Sequence, residues 1–352
     1  MGSSSVEQGR GEIAWALASA LLAAGLSAAA AGCAASPDGV GGVALRTSER
    51  DVSPASARAA SRAEDWRLAA ARWNEVFLRE GSVEACVETA RALHQLGDDE
   101  SARGILDMGL SRHPADPQIL EMQGDLLARM GFRRAAEACL ERALAADPDR
   151  PDVLLALGRV RLELERPSAA EAALSRRIEL GFSDAETWLL RARARRATGN
   201  VRGALEDYRS AFAHLDDGRS AEVRDLVCAG TLYVDPALRK DERARSLAIS
   251  WLERALERDP QCTTAWYHLG LIHEDLGDQE AAIRHHRRAA ESDPAHLPSL
   301  AKLAELHSQR GEVSAAADMV RRACALEKDP ARRAALERLT CPADPALQPD
   351  GR

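Results

Sequence analysis

Histidine, cysteine and paired carboxylates are the side chains here with the widest chemical reach. Four histidines, His268, His273, His285 and His286, fall within one short stretch. A transition metal needs two to four converging imidazoles. His268 and His273 stand five apart and share a helix face poorly, while His286 takes a place suited to an apolar side chain, as a half-buried packing residue does. Seven cysteines form no Cys-x-x-Cys pair and match no zinc spacing. Cys86 and Cys139 read as small core residues. Cys228 with Cys262, or Cys324 with Cys341, could pair as disulfides if the chain is exported. Glu274 and Asp275 read as solvated helix-face charges. Phosphate-loop, dinucleotide, His-Glu-x-x-His and Gly-x-Ser-x-Gly signatures are absent from the sequence. The expectation is no enzyme, no catalytic residue, no metal and no cofactor.

Cys33 differs from the other cysteines. It follows an uncharged run of twenty residues, Ile13 to Gly32, whose last part is rich in small side chains and ends Ala30-Ala31-Gly32. An apolar stretch closed by small residues marks an export signal, and its length also permits a membrane span. The ending resembles a bacterial lipobox, although Ala30 stands where leucine is usual and Arg10 is the only basic residue ahead of the run. The resemblance implies lipidation at Cys33. Two or more acyl chains, at about 0.8 kcal/mol per buried methylene, would anchor the chain stably to a lipid bilayer. Ala34 after the cysteine resembles the pattern of lipoproteins sent to the outer membrane. From Cys33 to Pro54 the chain is rich in Gly, Ser, Asp and Pro and reads as a tether of about 25 Å.

The elements behind this address are helical. Aromatic residues make up 4% of the chain, strand patterns are nearly absent, and alanine, the strongest helix former, is everywhere. A net charge of −8 disfavours a nucleic-acid partner, which calls for a basic surface. A 34-residue period starts at Val83 and repeats at Pro117, Pro151 and Ala185, then resumes at Ala229, Thr263 and Leu297. Ala90, Gly124, Gly158, Ala192, Gly270 and Ala304 fill a column that must be small for two helices to approach. Gly97, Gly131, Gly199, Gly277 and Gly311 fill one that ends a helix in a left-handed conformation. Ala102, Ala136, Ala170, Ala204, Ala248, Ala282 and Ala316 form a third. Ala143, Ala211, Ala255, Ala289 and Ala323 form a fourth, and Pro114, Pro148, Pro260 and Pro294 close the second helix. A coiled coil would instead need a seven-residue seam without these glycines.

The unit Thr263 to His296 resembles the tetratricopeptide motif at Trp266, Leu269, Gly270, Gly277, Ala282, Ala289 and Pro294. The expected fold is all-α, a tetratricopeptide-like right-handed superhelical solenoid of antiparallel helix pairs. Seven segments follow: a signal or lipobox segment (1–32), a tether (33–54), a degenerate N-terminal repeat (55–82), four repeats in register (83–218), an irregular repeat with an insertion (219–262), two repeats (263–330), and a capping helix with a tail (331–352). In the irregular stretch, Ser220 to Val234 reads as a helix and Asp235 onward as a longer loop. Glu165 and Arg177 depart from the glycine and small-residue columns and predict altered packing.

In that family the first helix of each repeat lines a groove for peptides or protein segments. The resemblance places Arg91, Arg129, Arg159, Arg193, Arg196, Tyr267 and Leu271 there, with Asp125 and Glu305 in the same column as Arg91. Such arginines could pair an acidic segment or a carboxylate, and the alternative is a solvated helix face. The expected protein is a non-enzymatic scaffold: a lipoprotein that recruits envelope proteins at the periplasmic face of the outer membrane. The alternatives are a signal-anchored protein of the inner membrane, an accessory subunit of an envelope enzyme complex, and an oligomer built through a terminal repeat.

Overall fold

In a computed structural model of the chain, residues 53–215 and 221–339 are described. They form seventeen α-helices and no strand among the described residues. The first pair is α1 (Pro54–Arg62) and α2 (Trp66–Glu80). Then come α3 (Val83–Gln95) and α4 (Asp99–Arg112), α5 (Pro117–Arg129) and α6 (Arg133–Ala146), α7 (Pro151–Glu163) and α8 (Pro167–Glu179), and α9 (Ala185–Ala197) and α10 (Val201–Leu215). The irregular pair is α11 (Val223–Gly230), continued by a 3-10 turn (Thr231–Val234), and α12 (Glu242–Arg258). The last elements are α13 (Thr263–Asp275) and α14 (Gln279–Ser292), α15 (Leu297–Gln309) and α16 (Val313–Leu326), and α17 (Pro330–Arg338). Each helix packs on its neighbours in sequence, giving a solenoid of antiparallel helix pairs. The first helices also meet one another, α3 with α5, α5 with α7, α7 with α9, and α11 with α13.

Local chemistry starts and stops these helices. Ser82, Asp116, Asp184 and Asp278 cap helix N-termini with their side-chain oxygens, satisfying backbone donors that have no partner within the helix. The two glycine-bearing columns do different work. Gly97, Gly131, Gly199, Gly277 and Gly311 all have φ between 70° and 85°, and a Cβ on any of them would meet nothing within 4 Å. Backbone conformation alone favours glycine there. Glu165 takes the same turn at φ 58° without being glycine.

Gly124, Gly158 and Gly270 are instead small because of what lies opposite. A Cβ would stand 2.7 Å from Leu140, 2.6 Å from Leu174 and 2.4 Å from His286. Gly230 belongs to the same column, facing Leu252 at 2.5 Å. This corrects the window beginning at Ala229, because the helix that carries Gly230 starts at Val223. The ten-residue slip in register is therefore split, part before α11 and part in the connection between α11 and α12. Alanines of the third and fourth columns are fully or almost fully buried. Trp73, Val76 and Phe77 bury the first pair.

Arg177, at a position occupied elsewhere by alanine or glycine, is 5% exposed. Its guanidinium bonds to the Pro151 carbonyl at 3.0 Å, the Asp184 carboxylate at 2.5 Å and the Thr187 hydroxyl, and it lies over the Phe182 ring. A buried charge is tolerable when it is paired in this way.

Two substitutions separate conformational from packing demands. Glu165→Gly should stabilise the fold by about 0.5–1 kcal/mol by relieving a left-handed non-glycine residue. Gly131→Ala should destabilise it by about 1 kcal/mol. Thermal unfolding of both variants measures the difference.

Candidate functional site

The row of first helices, α3, α5, α7, α9, α11, α13 and α15, carries the candidate groove residues. Arg91 is exposed and bonds to Glu88 of its own helix at 2.5 Å. Arg129 reaches back to the ring of His94 in α3 at 3.1 Å. Arg159 in α7 reaches forward to Glu186 in α9 at 2.5 Å, and Arg193 in α9 to Asp225 in α11 at 2.5 Å. The same stitching joins Arg58 to Glu84, Arg150 to Glu121 and Lys302 to Glu274. Three of the expected groove arginines are thus closed onto carboxylates of the protein itself. Arg196 is exposed and has no carboxylate partner among the described residues.

These pairs differ in weight. Arg159 and Glu186 are both near half exposed, a class worth about 0–1 kcal/mol. Asp225 is 2% exposed, so loss of Arg193 would leave a buried charge, at a cost of about 3–5 kcal/mol. Behind it, Asp207 is equally buried and takes both Arg191, at 2.7 and 2.9 Å, and Arg195, at 3.0 Å. Arg193 is therefore structural as well as groove-facing, and reversing its charge would test folding before binding. Asp125 sits in the same column, and its side chain has no hydrogen-bond partner among the described residues. Burial, reinforced by the neighbouring Glu121 carboxylate, pushes its carboxyl up to about 6.

Between the charged positions runs a second stripe. Val87 of α3, Leu155 of α7, Leu189 of α9, Val227 of α11 and Tyr267 of α13 occupy one position of the repeat and are all half-buried. Val87, Leu189 and Val227 each pack partly against the core. Sequence reading singled out Tyr267 and missed the aliphatic members; Val87, Leu155 and Leu189 could have been found from their shared place in the 34-residue register, whereas Val227 lies outside it. Leu271 is half-buried beside Tyr267, one turn further along α13.

The histidine-rich repeat corrects two expectations. His286 is completely buried, where half-burial was expected, because Gly270 opens the space its ring fills. Glu274 is no solvated charge: it bonds to His286 at 2.7 Å and to Lys302 at 3.1 Å, linking α13, α14 and α15. Tyr267 packs against the rings of His268, His286 and His296, and His285 stacks on Trp266 and His273. His268, His273, His285 and His286 each bury an Nδ1 without a hydrogen-bond partner. No group of three or more metal-ligating side chains converges among the described residues. Cys86, Cys139 and Cys324 are buried, and Cys228 and Cys262 are half-buried free thiols. Cys33 and Cys341 lie outside the described residues.

The fold and its open helix row define a helical-repeat binding protein. Models of the tetratricopeptide repeat match residues 55–117, 131–194 and 239–296, together more than half of the chain. The chain belongs to the tetratricopeptide-repeat family, whose members bind peptide or protein partners and whose fold typically works without catalysis. Among solved structures it is similar to the C-terminal part of a repeat-containing protein of this type from Cytophaga hutchinsonii. The TM-score is 0.53 at 14% identity, covering 71% of this chain and 98% of that one. A tetratricopeptide repeat protein from Parabacteroides merdae aligns with a TM-score of 0.46 at 14% identity, over 68% of this chain and 91% of that one. YrrB, described as having an unusual peptide-binding site, aligns with a TM-score of 0.36 at 18% identity, over 65% and 95%. No curated protein matches the chain.

The half-buried imidazoles of His268 and His285 should make this repeat acid-sensitive. Burial, with added repulsion from neighbouring histidines, lowers His268 and His285 to about 4. The unfolded chain, with ordinary imidazoles near 6.5, binds more protons in this window. Stability should be full above pH 6.5 and fall as pH drops toward 4. At pH 5 the loss from the two groups should be about 2–3 kcal/mol, discounted for partial exposure. Calorimetric melting against pH measures this, and His285→Phe should flatten the curve.

Proposed function

We propose that the protein is an exported, lipid-anchored scaffold that recruits envelope proteins and acts without catalysis. Cys33 carries the lipid, the segment between it and the first helix forms the tether, and the helix row holds the partner at the periplasmic face of the outer membrane. The observation that carries the binding half of this reading is the row α3 to α15. It has a half-exposed aliphatic stripe alongside side chains that are already ion-paired. A surface prebuilt in this way loses little conformational freedom on binding. The anchoring half is supported by the uncharged run Ile13 to Gly32 and the small residues before Cys33. No helix among the described residues is long and apolar enough to cross a membrane, and Ile13 to Gly32 lies outside them.

Each half has its own test. Cys33→Ser should release the protein from the membrane fraction and abolish palmitate labelling. A mature N-terminus that retains Ile13 to Gly32 would instead fit a signal anchor in the inner membrane. For binding, a photocrosslinking residue at Leu155 or Leu189 should capture a discrete protein in cells, whereas the same residue at the exposed Ala172 of the second helix α8 should not.

A further inference from the structure

The charge pattern of the helix row also limits what it can hold. An acidic partner would have to displace Glu186 from Arg159 and Asp225 from Arg193, exchanging one carboxylate for another with little gain. It would also approach Asp125 and Glu121, which stand in the same region of α5. A basic partner would compete with Arg58 for Glu84 and with Arg150 for Glu121. Apart from Arg196 and Asp125, what the row leaves unsatisfied is apolar: the open sides of Val87, Leu155, Leu189, Val227 and Tyr267, one from each of five first helices.

The spacing of these residues defines a matching chain. Packed helix axes stand roughly 8–10 Å apart, and the first helices meet directly at three successive steps from α3 to α9. A polyproline-type extended segment rises about 3.1 Å per residue, so every third side chain recurs at about 9 Å. Alternate side chains of a β-strand recur at roughly 7 Å and fall out of step. Glu121 interrupts the stripe in α5, but its carboxylate is turned to Arg150. The segment would therefore seat its aliphatic residues chiefly on α7 and α9, the neighbouring first helices that meet directly.

We propose that this face takes an extended, uncharged protein segment bearing an aliphatic side chain at every third residue, laid across successive first helices. The proposal rests on the scaffold reading and names its partner chemistry. It departs from the acidic ligand that the arginine column alone suggested.

The probe is a fluorescent peptide with leucine at every third position and serine or glutamine between, titrated against the full chain in detergent. Two comparison peptides carry glutamate spacers, or leucine at every second position. The expected result is preference for the neutral every-third peptide, with affinity unchanged across roughly a tenfold range of salt. Leu189→Glu and the milder Leu155→Gln should each weaken it at least tenfold with unchanged circular dichroism. Preference for the glutamate peptide, with loss in salt and on Arg196→Glu, would overturn the proposal in favour of an acidic ligand. If none of the peptides binds while Leu155 and Leu189 still crosslink a protein in cells, this partner chemistry is wrong and the scaffold reading stands. If the crosslinks also fail, the helix row is not the binding face.

Discussion

The structure depends on how closely two helix backbones can approach where first and second helices cross. At Gly124, Gly158, Gly230 and Gly270 a single added carbon would overlap the side chain opposite. At Ala90, Ala192 and Ala304 the methyl group is completely buried. That contact sets the tilt within a pair, and the tilt sets how the next pair stacks. Repeats that touch only their neighbours then add up to an array whose stability is a sum of local terms. Because the same residue types return every 34 positions, the first helices present equivalent positions in a row, and function can be written along that row.

The binding surface follows from this geometry, with no specialised site required. Each first helix buries most of its apolar residues against its partner and leaves one position half-open. Arg159 and Arg193, beside that position, reach the next repeat and find carboxylates there, so the same contacts stitch the stack and neutralise part of its face. The histidine repeat shows another use of the space that glycine provides. Gly270 admits the ring of His286, and Glu274 and Lys302 complete a polar connection across three helices. Packing of this kind trades hydrophobic burial for hydrogen bonds.

Most of the fold was legible in the sequence because its constraints are periodic. The columns at Ala102, Ala143 and Gly97 and their equivalents each answer to one local demand and recur without reference to distant residues. The irregular repeat was harder to read. Gly230 belongs to the small-residue column, yet extra residues on both sides removed it from the 34-residue register, and only its contact with Leu252 restores it. The site was less legible than the fold. Arg159 and Arg193 look alike in the sequence, but one pairs at the surface and the other neutralises a buried aspartate. Glu274 looked solvated because its partners, His286 and Lys302, lie 12 and 28 positions away. Pairing across repeats depends on side-chain reach, which periodicity does not encode.

The central claim is that side-chain size at the helix crossing, and not helix propensity, holds each pair at its spacing. A double-mutant cycle at Gly158 and Leu174 tests it most directly. Gly158→Ala alone should destabilise the fold by about 1–3 kcal/mol through overpacking, despite alanine's better helix propensity. In the background of Leu174→Ala, which removes the atoms 2.6 Å from the added carbon, the same change should be neutral or stabilising. Equal effects in both backgrounds would contradict the account.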